Sequence, residues 1–180
     1  MTKKLTTTGI LLALSIVLSI IRLFTLPQGG SVTPASMLPI IIVSLLYGNR
    51  WGILSGIVAG ILSMLLTGGI PAPPVINFWY YLLVLLLDYI LAFGFLGLAS
   101  FFYGLFGKKP LSIPFAAAAV IFLRFLCHFA SGIVIWGVYA WEGYGAALYS
   151  LLYNGSYMLF ELLITTALAF FARHFIRKQI

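Results

Sequence analysis

Six apolar stretches, at about 5–26, 34–48, 51–68, 77–105, 111–138 and 148–172, fill almost all of this 180-residue chain. Only short breaks containing Gly, Pro, Asn or charge separate them. A hydrocarbon layer about 30 Å thick needs roughly 20 apolar residues per helix, so stretches of this length predict membrane-spanning helices. With 63% hydrophobic and 7% charged residues, the composition lies far from that of a soluble domain. The mean hydropathy of +1.15 points the same way. Six such helices leave little chain for anything outside the bilayer, which excludes catalysis or ATP hydrolysis in an appended domain. The expectation is an all-α fold, one integral membrane domain over 1–180 built as a six-transmembrane-helix bundle.

The second span is short and contains Pro39, which predicts a bent or interfacial start. The first follows Lys3 and Lys4 and superficially resembles a signal peptide, but it is long and lacks a small-residue cleavage site before Leu26-Pro27-Gln28-Gly29-Gly30. It is read as a retained helix. With the N-terminus inside, the even-numbered loops and the tail hold Arg50, Lys108, Lys109, Arg173, Arg177 and Lys178. The loops at about 67–77 and 139–147 hold no Lys or Arg, so both termini are placed in the cytoplasm of a prokaryotic cell with the chain in the plasma membrane. The net charge of +7 is then mainly a topology signal with some attraction to anionic lipids, and no nucleic-acid partner is expected.

A single cysteine, Cys127, cannot form an intramolecular disulfide, and beside His128 it has no second thiol or spaced histidine for a metal site. It is read as packing. Gly52, Gly56 and Gly60 recur every four residues and predict close approach of another backbone to the third helix. Gly9 and Ala13 make a second small pair, for which contact within the chain and contact with another protein are both open.

Charged and polar groups inside the spans carry the functional signal. Asp88 lies near the middle of the fourth span, where a carboxylate costs about 2.5–3.5 kcal/mol unless it faces the interior and finds a partner. Arg124 and His128 are four apart on the fifth helix, on a face that continues through Gly132 towards Trp136. Ser150, Asn154, Tyr157 and Glu161 form a similar stripe on the sixth. A structural reading pairs Asp88 or Glu161 with Arg124, most readily Glu161, and makes Trp136, Tyr139, Trp141 and Tyr144 an interfacial aromatic belt. That reading leaves His128, Asn154 and Asp88 with more hydrogen-bonding capacity than one ion pair needs. A small polar ligand would satisfy it. Aromatic faces attract flat or cationic groups, at about 0.5–2 kcal/mol each, and a carboxylate beside them selects a cation or an amino-substituted heterocycle.

The segments PQGGSV at 27–32, LLDYILAF at 86–93, LRFLCHFASG at 123–132 and YSLLYNGSYM at 149–158 together resemble the thiamine-specific substrate-binding subunit of energy-coupling factor vitamin transporters. The resemblance runs over essentially the whole chain. It implies a six-helix, non-enzymatic subunit that binds thiamine near the extracellular side as transported ligand, with no cofactor. It further implies docking on a shared module of two ATPases and a transmembrane coupling protein. Asp88 and Tyr89 match residues that hold the aminopyrimidine, and His128 and Trp136 match those flanking the thiazolium, with Gly132 leaving room between them. Tyr149 and Asn154 match the aromatic and amide that hold the pyrimidine, and Arg124 stands at a position that is basic in relatives. Gly9 and Ala13 match the small-residue surface that lies against the coupling protein.

Some relatives carry a tryptophan where this chain has Gly30, and a glutamate where it has Asp88. On a straight helix at 1.5 Å per residue, His128 and Trp136 would be about 12 Å apart, so either the ligand lies lengthwise or the helix is irregular near Gly132 and Gly137. Arg124, in a site for a cation, is expected to be neutralised by Glu161 or Asp88 or to face the hydroxyethyl end as a donor. Two other classes share parts of the pattern. One is a subunit for another vitamin or precursor, such as riboflavin or hydroxymethylpyrimidine. The other is a stand-alone secondary transporter, which the lack of a clear internal repeat argues against.

Overall fold

The computed structural model describes residues 2–27, 29–66 and 68–180. Gln28 of the PQGGSV segment and Thr67, expected near the end of the third span, lie outside the described residues, as does Met1. The chain runs α1 (Thr2–Ile20), β1 (Phe24–Thr25), β2 (Ser31–Val32), α2 (Leu38–Tyr47), α3 (Asn49–Leu66), α4 (Phe78–Leu105), α5 (Ser112–Val134) and α6 (Ala146–Gln179). Five of these helices, α1, α3, α4, α5 and α6, are long and apolar enough to cross a membrane.

The departures from expectation have local causes. The first helix stops at Ile20, short of residue 26, and a small antiparallel ribbon pairing Phe24 with Val32 and Thr25 with Ser31 is added to the mostly helical fold. Leu23 and Phe24 are as apolar as a helix interior, so hydropathy does not mark this end. The tight turn does: Leu26 N–H donates to Gly30 C=O at 2.6 Å and Gly29, at φ +95°, donates back to Leu26 C=O at 3.0 Å. Arg22, expected within the first span, consequently lies on the loop and faces the chamber described below.

The second span begins at Leu38 and not at 34, with Pro39 in the first turn, where its missing N–H costs nothing. The resulting helix has only 10 residues and is buried, with Ile40, Ile41 and Val43 fully enclosed. Ile40 and Ile41 join Leu96 of α4 and Ile113, Val120 and Ile121 of α5 in the main apolar core. α6 outruns its expected limits of 148–172 at both ends, and its 34 residues extend about 51 Å.

The glycine stripe of α3 meets α4, as its spacing predicts. A methyl group on Gly52 would lie 2.7 Å from the Gly97 carbonyl oxygen, one on Gly60 2.6 Å from that of Tyr89, and one on Gly56 against that of Phe93. Both partners therefore step by four residues, in antiparallel directions. α4 is irregular along this contact, with a π-helical stretch at Leu85–Leu91 and a 3₁₀ stretch at Phe95–Leu98. Ser44 of α2 gives its hydroxyl proton to Gly97 C=O at 2.5 Å and accepts from Ser100 N–H at 3.1 Å, satisfying groups that the irregularity frees.

α1 is held differently. Its two buried residues are both polar: Thr8 accepts from Trp51 Nε1 at 2.8 Å, and Ser15 donates to Ser36 C=O at 2.7 Å. Lys4 also stands 4.1 Å from the Trp51 ring centre. Gly9 and Ala13 lie on the exposed side of this helix.

Candidate functional site

α4, α5, α6 and the first loop enclose a cavity of about 470 Å³. Its size suits a small organic ligand. Asp88 enters from the π-helical stretch of α4, a backbone irregularity that recurs at functional positions. Three donors from α5 and the turn after it converge on its carboxylate. His128 Nδ1 is 3.1 Å from Oδ1, while Oδ2 accepts from Ser131 Oγ at 2.8 Å and from Trp136 Nε1 at 3.4 Å. With His128 protonated, the first contact is an ion pair.

Trp136 reaches this carboxylate because α5 ends at Val134, short of the expected residue 138. Ser131 C=O accepts from both Ile135 and Trp136, at 2.8 and 3.3 Å, and a 3₁₀ turn follows at Gly137–Tyr139. The helix is thus irregular at the place where a straight one would carry Trp136 away from His128. Trp136 also donates to Ser131 Oγ at 3.1 Å and stacks on Tyr139 with ring centres 6.4 Å apart. Trp141 and Tyr144 are about half exposed, as an interfacial pair would be, though Trp141 also meets Tyr149 edge-on at 5.3 Å.

On α6, Asn154 is 6% exposed and bridges two helices. Its Nδ2 donates to His128 C=O and to Ser150 Oγ, each at 3.1 Å, and its Oδ1 accepts from Tyr157 at 3.0 Å. Gly132 permits this junction: a methyl there would collide with Ser150 Oγ and lie 2.8 Å from Asn154 Nδ2. Its visible work is helix packing. Tyr149 stacks on Tyr153 at 5.7 Å, and Tyr149, Tyr153 and Tyr157 face the cavity from one side. Tyr89 also borders it. At Gly30 a methyl would press on the Tyr157 ring at 2.7 Å, and its N–H donates to Tyr153 Oη at 3.1 Å. Tyrosines of α6 therefore fill the place next to the first loop.

Of the alternatives expected for Arg124, pairing with Glu161 or Asp88 is not what forms among the described residues. Its guanidinium lies 4.0 Å from the Phe93 ring centre. Glu161 turns instead to Thr33, accepting from its N–H at 2.6 Å and its hydroxyl at 2.7 Å. Among the described residues, the ion pair of the chamber is His128 with Asp88. All eight residues singled out as ligand-binding from the sequence border this cavity. Ser131, Tyr153, Thr33 and Glu161 were not among them. Ser131 could have been found three residues after His128 on the same helical face, and Tyr153 from the four-residue spacing of the tyrosines.

Residues 5–179 match the family model described as thiamine transporter protein (Thia_YuaJ). The chain belongs to this family. The membership implied by the four sequence segments is thereby borne out. Among its relatives, thiamine transporter ThiT of Bacillus subtilis (strain 168) is 33% identical over 162 residues, covering 84% of this chain and 80% of that protein. Thiamine transporter ThiT of Lacticaseibacillus paracasei is 32% identical over 138 residues, covering 72% and 66%. A solved structure of ThiT from Listeria monocytogenes superposes with a TM-score of 0.77 over 99% of this chain and 97% of the other, at 24% identity. That likeness establishes the fold. With five apolar helices of spanning length in a member of this transporter family, the chain is a multi-pass protein of the cell membrane.

Proposed function

We propose that this chain captures thiamine in the chamber around Asp88 as the substrate-binding subunit of an energy-coupling factor transporter. The observation that carries this reading is a carboxylate held among His128, Ser131 and Trp136 in a chain matched to the family along nearly its whole length. Asp88 and Tyr89 take the aminopyrimidine, with Tyr149 and Asn154 against its ring. His128 and Trp136 flank the thiazolium, beside the close helix contact at Gly132. Arg124, without a carboxylate partner, offers its donors to the hydroxyethyl oxygen.

The fold is read as one domain over 1–180 with six membrane passages, the short α2 counting as one, and with both termini in the cytoplasm. Arg22 is then a basic residue on the outer side, unlike the six basic loop and tail residues assigned to the inner side, and it borders the chamber. The exposed Gly9 and Ala13 face of α1 supplies the surface for the transmembrane coupling protein, and two ATPases drive reorientation of the loaded subunit. Binding free energy comes from desolvated aromatic contacts together with the carboxylate. Trp136→Ala is expected to weaken thiamine binding by at least about tenfold, or 1.4 kcal/mol, in fluorescence or calorimetric titrations of detergent-purified chain. A variant that titrates like the wild type would remove Trp136 from the site. Competition with the bare pyrimidine, expected to be much weaker than with thiamine itself, tests the ligand class.

A further inference from the structure

Glu161 borders the chamber but has no role among the groups assigned to the ligand. It is 3% exposed, and its Oε1 takes both the backbone N–H and the hydroxyl proton of Thr33, 128 residues away in the chain. The Thr33 and Ser36 hydroxyls lie 2.7 Å apart, and between them Ala35 adopts a left-handed φ of +60°. Ser36 C=O in turn holds Ser15 of α1. Gly30, Ser31, Thr33 and Ser36 of this first loop form one wall of the chamber. A single carboxylate oxygen on α6 therefore anchors the inner end of the loop.

We infer that Glu161 is a positioning residue for ligand binding, clamping the 33–36 turn to α6 so that the first loop stays closed over the chamber. This rests on the thiamine reading above. Thr33 N–H is buried and lies where neither helix nor ribbon supplies it an acceptor, so removing the carboxylate leaves that buried N–H without a partner and the hydroxyl with only Ser36 Oγ at 2.7 Å. The turn then releases more readily, and the ligand escapes faster. Association depends mainly on arrival at the open chamber and changes less. A glutamine keeps an oxygen acceptor at the same place, so the clamp depends on the oxygen and not on the charge.

The test is stopped-flow release and uptake of thiamine by the full chain in detergent, followed by tryptophan fluorescence. Glu161→Ala is expected to release thiamine at least about tenfold faster, with association within about threefold of wild type. Thr33→Val, which keeps the N–H but loses the hydroxyl, should fall between, and Glu161→Gln should stay near wild type. The double variant Glu161→Ala with Thr33→Val should release no faster than Glu161→Ala alone. Wild-type release rates in Glu161→Ala would overturn the clamp. So would equal acceleration in Glu161→Ala and Glu161→Gln, or additive effects in the double variant. If Glu161→Ala does not fold, Thr33→Val with an unchanged release rate overturns it instead. A wild-type chain that fails to bind thiamine overturns the functional reading and the clamp together, whereas normal binding with unaltered variants overturns the clamp alone.

Discussion

Asp88→Asn weakens thiamine binding by at least about tenfold, or 1.4 kcal/mol, when the purified chain is titrated with the vitamin. The substitution keeps the size of the side chain and changes two things. It removes the negative charge that, on the proposed reading, faces a permanently cationic ligand, and hydrogen bonds to charged groups are worth about 1.5–3 kcal/mol. It also replaces one acceptor oxygen by a donor, while His128 Nδ1, Ser131 Oγ and Trp136 Nε1 approach both oxygens. An amide cannot accept on both sides. His128 and Trp136 then lose the common anchor that orients them, so the aromatic contacts weaken with the electrostatic one. An isotherm indistinguishable from wild type would reject Asp88 as the centre of the site.

A large effect on folding is expected at Gly56. In Gly56→Val the new Cβ meets the Phe93 carbonyl, with the carbonyl carbon at 3.0 Å and its oxygen nearer still. Backbone atoms cannot swing aside as the end of a long side chain can, so α3 and α4 must separate. Overpacking of this kind costs about 1–3 kcal/mol. The thermal midpoint in detergent should fall, and thiamine binding with it, because α4 carries Asp88. Gly155→Ala is the control: nothing lies within 4 Å of the added methyl, and alanine favours the helix. Equal stability of Gly56→Val and the control would show that the two backbones are not in contact there.

Much of the cavity lining is legible because charge is rare in this chain. Asp88, Arg124 and His128 stand out in apolar spans, and helical spacing is enough to put Arg124, His128 and Gly132 on one face. What spacing cannot reveal is which donor meets which acceptor. Charge alone pairs Glu161 with Arg124, yet its geometry serves Thr33, an uncharged residue of the first loop. Tyr153 and Ser131 are ordinary residues by composition; only the fold sets Tyr153 in the chamber wall and Ser131 against Asp88. The helix ends at Ile20 and Val134 were similarly hidden, since the residues beyond them remain apolar.

By itself the sequence determined the membrane class, the positions of the long helices, the α3 glycine stripe and the family, because each rests on local periodicity, hydropathy or a run of adjacent residues. The tertiary structure decided the rest. It folded Trp136 back onto Asp88, turned Asn154 and Gly132 to the α5–α6 junction, laid Arg124 on Phe93 and gave Glu161 to the first loop. These are contacts between groups far apart in the chain. Where several partners can satisfy one buried polar atom, the packing of the helices selects among them.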